Sequence, residues 1–242
     1  YFPKKDRAFA TSIFNAGASV GALIAPVTIP PLAAAFGWEM AFIIIGVLGF
    51  LWMGFWVFMY DKPSKSKHVN AAELAYIRQD EDEPVADTEA EEKSTIPFLK
   101  CFTYRQTWSF IVGKFFTDGV WWFYLFWAPA YFQDQFGYKA SSGMGMSLIV
   151  TLYAIVTVIS IFGGYLPKLF VEKKGMHPYN GRMLAMLIFA FFPLFALFAQ
   201  PMGQYSAWWP AVIIGLAGAG HQAWSANLFS TVGDMFPKSA IA

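Results

Sequence analysis

Long apolar stretches alternate with short polar ones along the 242-residue chain. A helix needs about 20 residues to cross a hydrocarbon core of about 30 Å. Six stretches come close to or exceed this length, so the pattern predicts six transmembrane helices, at residues 8–36, 40–60, 107–132, 144–166, 183–200 and 208–232. Glycine and proline inside these stretches do not argue against helices, because membrane helices tolerate both.

The composition agrees with a polytopic membrane protein. Hydrophobic residues make up 57% of the chain and charged residues 14%, whereas soluble domains carry about 25% charged residues. A net charge of +1 without a basic stripe indicates no nucleic-acid partner. The single cysteine, Cys101, leaves no internal disulfide, and the sequence has no metal-binding pattern and no catalytic motif. We therefore expect a protein that is not an enzyme and holds no metal.

Basic residues set the expected orientation, because they are enriched in cytoplasmic connections. If the first helix starts inside, 15 of the 17 Lys and Arg residues fall in four inside segments. These segments are residues 1–7, 61–106, 167–182 and 233–242. The outside connections hold only Lys139, and Lys114 lies within a span. We therefore expect the chain to enter the membrane from the cytoplasm.

The long inside connection, residues 61–106, is expected to contain a short helix and a linker. In NAAELAYIRQ, Asn70 precedes a helix-forming run and Glu73 follows three positions later, which is the pattern of an N-terminal cap. DEDEPVADTEAEEK is acidic and poor in apolar residues, as is typical of a solvated linker. The connection thus separates two helices from four and indicates two bundles.

Lys114 and Asp118 interrupt the third apolar stretch, in GKFFTDGVWW. Asp118 lies thirteen residues after Arg105, about 20 Å along a helix axis, and so near the middle of the membrane. A spacing of four places both charges on one face, where they can pair. One interpretation is an ion pair that only neutralises itself. The other is the wall of a polar cavity, which would include the aromatic side chains of Trp121, Trp122 and Tyr124.

A second polar group lies at similar depth in the sixth stretch, in AGHQAWSANL. His221 is thirteen residues from Trp208, again about 20 Å along the helix axis. A histidine there is either a packing residue or part of a cavity wall, and it titrates near physiological pH when unperturbed. The candidate cavity residues in this stretch are His221, Gln222, Trp224 and Asn227.

Small residues predict where helices approach each other closely. Gly17, Gly21 and Ala25 recur at intervals of four in the first stretch, a spacing that favours close helix packing in lipid. GLAGAG, residues 215–220, predicts a close crossing in the sixth stretch. Prolines near the outer end of the first stretch are expected to bend or end its helix; they are Pro26, Pro30 and Pro31.

Asp234 lies at the inner end of the sixth stretch, in VGDMFPK. Its position favours a role in a cytoplasmic gate or a helix cap, with the basic connection 167–182 as a possible partner.

Five segments resemble the major facilitator superfamily, in its anion–cation symporter type. YFPKKDRAFATSIFNAGASVGALIAP is similar to the fifth helix of that family, and GW followed by AFIIIGVLGFLW is similar to the sixth. GKFFTDGVWWFYLFWAPAYF resembles the seventh helix of bacterial hexuronate transporters, and AGHQAWSANLFSTVGDMFPK resembles their tenth. GGYLPKLFVEKKG is similar to the loop motif between helices eight and nine. The resemblance covers nearly the whole chain.

The resemblance implies an all-α membrane protein, a polytopic helical bundle that forms part of a major facilitator fold with helices five to ten of twelve. Residues 1–60 would be the last two helices of the N-terminal bundle, 61–106 a cytoplasmic linker and 107–242 the first four helices of the C-terminal bundle. In the family, the arginine that grips a carboxylate and the proton-coupling acids lie on helices one and four. Because the chain opens on YFPKKDRAFA without an initiator methionine, we interpret it as an internal part of a longer protein.

The implied function is secondary active transport in the bacterial inner membrane, by symport of protons with hexuronates such as glucuronate and galacturonate through alternating access. The expected partners are a small anionic substrate, protons and the lipid bilayer. We expect a monomer without a cofactor, driven by the proton gradient. A carrier for another organic anion, such as an aldonate or a dicarboxylate, is the first alternative. A membrane sensor that binds a solute without moving it, and a structural membrane subunit, are the others.

Overall fold

The computed structural model describes residues 2–61, 63, 66, 69–78 and 98–235. Regular structure in these ranges is helical throughout, which confirms the predicted all-α class. The α-helices are α1 (Lys4–Phe36), α2 (Trp38–Met59), α3 (Ala71–Arg78), α4 (Phe98–Cys101), α5 (Arg105–Phe136), α6 (Gly143–Lys174), α7 (Pro178–Ala190), α8 (Ala199–Gly203) and α9 (Trp208–Met235). A 3-10 helix, Phe192–Phe198, joins α7 to α8.

The predicted spans fall on the long helical regions. Within the described part of the chain, four regions are long and apolar enough to cross a membrane: Asp6–Phe36, α2, α6 and Pro178–Gly203. The helices α5 and α9, with 32 and 28 residues, are also long enough to cross a hydrocarbon core of about 30 Å. They carry the polar residues that the sequence places at mid-depth, which lowers their apolar character.

The fifth predicted span, 183–200, is not a single α-helix. The helix α7 ends at Ala190, and a 3-10 helix with Pro193 in its first turn replaces it. Proline has no N–H to donate, and its ring clashes with the carbonyl four residues earlier, so it weakens an α-helix and favours the change of helix type at this point. The chain returns to α-helical structure at Ala199.

The prolines of the first span do not end its helix. The helix α1 continues through Pro26, Pro30 and Pro31 to Phe36. It stops at Gly37, which has a φ of 83° and a main-chain N–H that donates to the carbonyl of Ala33. A positive φ strains residues that carry a Cβ, so a glycine suits this position.

The capping pattern in the inside connection is confirmed. The main-chain N–H of Glu73 donates to Asn70 Oδ1 at 2.8 Å, at the start of α3. This side-chain acceptor satisfies one of the N–H groups that the first helical turn leaves without a helical partner. The acidic run DEDEPVADTEAEEK lies outside the described residues.

Contacts divide the chain into two compact units, residues 1–3 with 24–83 and residues 4–23 with 84–242. In the first unit, α2 exposes most of its apolar side chains, and among them Phe58 is 90% exposed. Exposure of this kind is typical of a surface that faces lipid or another protein segment. The division of the chain predicted at residues 60 and 106 stays a prediction.

The second unit is built around α9. This helix contacts α5, α6, α7, α8 and the 3-10 helix, and its residues are buried along most of its length. Apolar side chains of α5 and α6 form the main core against it, including Phe132, Leu148, Leu152 and Val156. The helix at the centre of the unit therefore carries one of the two predicted polar faces.

Glycines let α6 pack closely between α1 and α9. A Cβ at Gly163 would overlap the Cβ of Ala223 on α9, and a Cβ at Gly164 would overlap the side chain of Ser12 on α1. At Gly220 of α9, a Cβ would overlap Phe192, which confirms the close crossing predicted for GLAGAG. Backbones approach this closely in membrane helices only where side chains are small.

The row Gly17, Gly21 and Ala25 is not the face of α1 that packs within the second unit. Gly17 and Gly21 are exposed, and a Cβ at either would meet no described atom within 4 Å. The buried face of this part of α1 is formed instead by other small side chains, those of Ala8, Ser12, Ala16 and Ser19. Close packing along the predicted row stays a prediction.

We predict that Gly163→Ala destabilises the full-length protein by about 1–3 kcal/mol, because the added methyl forces α6 away from α9. Thermal unfolding in detergent measures the effect. Gly143→Ala is the matched control on the same helix, since a Cβ there meets no described atom within 4 Å. It should be neutral or slightly stabilising, because alanine is the better helix former. Equal melting temperatures for the two variants would contradict the close contact.

Candidate functional site

The two predicted polar faces meet across α5 and α9. Lys114 Nζ lies 2.7 Å from Asp118 Oδ1 on its own helix. The same ammonium donates to Ser225 Oγ on α9, also at 2.7 Å. The ion pair therefore does more than neutralise itself within one helix, because it links α5 to the central helix of the unit.

Helical spacing explains this convergence. Lys114, Asp118 and Trp121 are four and three residues apart on α5, so they share one face. On α9, His221 and Ser225 are likewise four residues apart. Each helix therefore presents one polar strip, and the close approach of the two helices brings the strips together.

The Lys114 ammonium is surrounded by three kinds of partner. Besides the carboxylate and the hydroxyl, it lies 4.6 Å from the ring centre of Phe229 on α9. A cation at this distance from an aromatic face is attracted by the ring. The side chains of Lys114 and Asp118 are 21% and 38% exposed. The carboxylate is therefore better placed than the ammonium to change its partner.

His221 completes the cluster from α9. Its Nε2 lies 3.8 Å from Asp118 Oδ1, and its ring is stacked nearly parallel on that of Trp121, with centroids 6.1 Å apart. The residue is only 4% exposed. Neither ring nitrogen has a partner of hydrogen-bonding geometry among the described residues. We call Lys114, Asp118, Trp121, His221 and Ser225 the charged cluster.

The other aromatic candidates lie around this cluster. Trp122 is exposed and stacks on Phe126, whereas Tyr124 is half-buried beside the core. The indole of Trp224 would lie 3.4 Å from a Cβ at Gly113, so it packs where α9 meets α5. Their predicted contact with a substrate stays a prediction.

Two amide candidates bind other helices instead of the charged cluster. Asn15 Nδ2 of α1 donates to Gln222 Oε1 at 3.0 Å, so this pair of amides joins two helices. Asn227 is fully buried and its Nδ2 donates to the carbonyls of Gly163 and Ala223. These contacts tie α9 to α1 and α6, and a cavity role for either amide stays a prediction.

Two arginines contact the C-terminal end of α9, and neither was predicted as a cavity residue. Arg182 of α7 is 1% exposed and donates to the carbonyl of Ser230, and Arg7 of α1 donates to the carbonyl of Gly233. Both carbonyls belong to the last turns of α9, where positive charge is favourable. In the sequence, Arg182 lies beside a polar connection, so its burial could not be predicted from its neighbours.

The basic connection predicted at residues 167–182 is largely helical. Lys168, Lys173 and Lys174 belong to α6. Lys168 Nζ pairs with Asp6 Oδ1 of α1 at 2.7 Å. The side chain of Asp234 lies outside the described part of the structure, so its gate role stays a prediction.

A separate cavity of about 290 Å³ lies among the ends of α5, α8 and α9 and the segments that follow α5 and α8. Its walls include four aromatic residues, Phe136, Tyr138, Tyr205 and Trp208. None of the predicted site residues lines it, so we assign the candidate site to the charged cluster.

Long apolar helices around a buried polar cluster define a polytopic helical membrane protein. A family model described as Major Facilitator Superfamily matches residues 1–242. The chain belongs to this superfamily.

Curated relatives are transporters. The chain is 28% identical to a hexuronate transporter of Escherichia coli K12 over 246 aligned positions, covering 100% of this chain and 54% of the relative. It is 28% identical to a galacturonate transporter of Dickeya chrysanthemi, covering 70% of this chain and 48% of the relative. It is 31% identical to a D-galactonate transporter of Escherichia coli O6:H1, covering 72% and 41%. The chain thus spans about half the length of the curated relatives it matches.

We predict that Asp118→Asn destabilises the full-length protein, because it leaves the Lys114 ammonium without its carboxylate. The expected loss lies between the roughly 1 kcal/mol of an exposed pair and the 3–5 kcal/mol of a buried one. Thermal unfolding in detergent measures it. Asp134→Asn is the control, since Asp134 is an exposed residue near the end of the same helix. Equal effects of the two substitutions would contradict a structural role for the pair.

Proposed function

We propose that the full-length protein is a symporter that moves hexuronates, such as glucuronate and galacturonate, together with protons. It works by alternating access as a monomer in the bacterial inner membrane, with the proton gradient as driving force and without a cofactor. The charged cluster lines the part of the substrate cavity that this chain contributes. The relatives named as hexuronate and galacturonate transporters support this proposal.

The observation that carries the proposal is the set of groups around Lys114. The ammonium holds a carboxylate oxygen of Asp118 and the hydroxyl of Ser225. In the same cluster, the ring of Trp121 stacks on that of His221. A hexuronate offers the same groups, namely a carboxylate, hydroxyls and a ring with an apolar face. Ammonium groups bind carboxylates strongly where water is largely excluded.

A related carrier for another organic anion is the second candidate. The relative named as a D-galactonate transporter favours it, because an aldonate also offers a carboxylate and hydroxyls but has no ring. The two candidates differ in shape, since a hexuronate in its closed form offers a ring face that an open-chain aldonate lacks.

We predict that the full-length protein in proteoliposomes takes up labelled glucuronate, and faster with an inward proton gradient. Unlabelled galacturonate should compete better than galactonate or a dicarboxylate. No uptake, or uptake that ignores the proton gradient, would refute the proposed symport. Stronger competition by galactonate or a dicarboxylate would favour the second candidate.

We further predict that the double variant Lys114→Met/Asp118→Leu folds but loses at least about tenfold in uptake. An apolar replacement of both charges leaves no unpaired ion, so folding is retained, whereas the carboxylate partner is gone. The control is Asp134→Leu/Lys139→Met, which removes two exposed charges near the end of the same helix. Uptake by the first double variant at the level of the control would contradict a role of the pair in the cavity.

A further inference from the structure

His221 is a buried ionisable side chain whose ring nitrogens lack a well-formed hydrogen bond. Both nitrogens are shielded from solvent, and the main chain of Thr117 on α5 lies near the ring without reaching full hydrogen-bonding geometry. Buried polar atoms in proteins are nearly always hydrogen-bonded, so an exception calls for an explanation. A packing role does not provide one, because an apolar side chain would pack on Trp121 without this loss.

Among the described residues, the charged groups facing the ring are Lys114 and Asp118 of α5, which carry opposite charges. Next to His221 on α9, Gln222 bonds to Asn15 of α1 and Gly220 contacts Phe192 of the 3-10 helix, and these groups are uncharged. The charge state of His221 therefore depends on its burial and on how Lys114 and Asp118 are paired.

The distances allow Asp118 to change partner. Its Oδ1 lies 2.7 Å from Lys114 Nζ and 3.8 Å from His221 Nε2. A charge-assisted hydrogen bond to the imidazole needs a distance of about 2.8 Å, so a side-chain movement of about 1 Å is sufficient. The 38% exposure of the carboxylate leaves room for that movement.

We propose that His221 and Asp118 form a proton-binding site that is coupled to the carboxylate bound at Lys114, in addition to the proton-coupling acids that the family carries on helices one and four. The proposal rests on the proposed function, because it takes a hexuronate as the anion. When the hexuronate carboxylate replaces Asp118 at Lys114, Asp118 turns to His221, which takes up one proton from solvent. Two ion pairs result: Lys114 with the hexuronate carboxylate, and the imidazolium of His221 with Asp118. Before binding there was one ion pair, Lys114 with Asp118, beside a neutral imidazole.

Charge neutrality is the physical reason for the coupling. With an uncharged imidazole, the charged cluster holds one cation and one anion and is neutral overall. An entering anion alone would leave a net negative charge in a largely buried site, which is unfavourable. One proton on His221 restores neutrality, so anion and proton bind together. By linkage, each raises the affinity for the other by the same factor.

The test uses the full-length protein and glucuronate as the probe. Calorimetric titration between about pH 5 and pH 8, in buffers of different ionisation enthalpy, gives both the affinity and the number of protons taken up. For the wild type we expect glucuronate affinity to rise on acidification, approaching tenfold per pH unit where one proton is coupled. His221→Gln keeps a polar side chain but cannot take up this proton. It should take up about one proton fewer than the wild type and show a correspondingly weaker pH dependence.

The matched control is His177→Gln, at an exposed histidine that precedes α7. It should retain the wild-type slope and proton number. The proposal is overturned if His221→Gln binds glucuronate with the slope and proton number of the wild type. A wild type that does not bind glucuronate at all refutes the proposed function itself and is seen before any variant is compared.

A second measurement tests the proposal even if the His221→Gln variant fails to fold. Nitrogen-15 NMR of the imidazole signals in the wild-type protein distinguishes neutral from protonated rings directly. We expect glucuronate to convert a buried histidine signal from neutral imidazole to imidazolium at a pH where the free protein is neutral. Histidine signals that stay unchanged on saturation with glucuronate overturn the proposal.

Discussion

The placement of one ammonium group constrains the second unit. Lys114 lies in the middle of a long helix whose surroundings are apolar, and a charge there is unfavourable unless partners surround it. Asp118 supplies a carboxylate from the same helix, but Ser225 and Phe229 must come from α9. These contacts therefore fix the rotation and the axial position of α5 relative to α9. A helix pair held only by apolar contacts would tolerate small shifts that this arrangement does not.

Small residues make that meeting possible. The central helix α9 is packed by α6 on one side, where Gly163 faces Ala223, and by the 3-10 helix on another, where Phe192 faces Gly220. In lipid, packing rather than the hydrophobic effect drives helix association, so close backbone approach is a main source of stability. Close packing on two sides holds α9 in place, and the polar strip of α9 is then presented to α5 with little freedom.

Local patterns predicted what lies within one helix. The cap at Asn70 and the shared face of Lys114 and Asp118 follow from spacings of three and four residues, and both are present. Contacts between helices were harder to predict, because a sequence does not give the rotation of one helix against another. Gln222 follows His221 directly, yet it pairs with Asn15 of α1. Likewise, Gly17 and Gly21 have the spacing of a packing row, but the buried side chains of α1 are on another face.

The polar groups inside the second unit differ in how completely their hydrogen-bonding capacity is satisfied, and His221 is the one described side chain with two buried atoms that lack a partner. Asn15 and Gln222 bind each other, and Arg182 is held by a main-chain carbonyl, so each of these contacts fixes a helix in place. Satisfied networks of this kind are rigid, because any movement breaks a bond in a medium that offers no water in exchange. His221 lacks such a bond, and Asp118, its acidic neighbour, is partly exposed and engaged on one side only. Incomplete bonding at His221 therefore lies next to the partly exposed Asp118, among helices that are joined by the Asn15–Gln222 and Arg182–Ser230 hydrogen bonds.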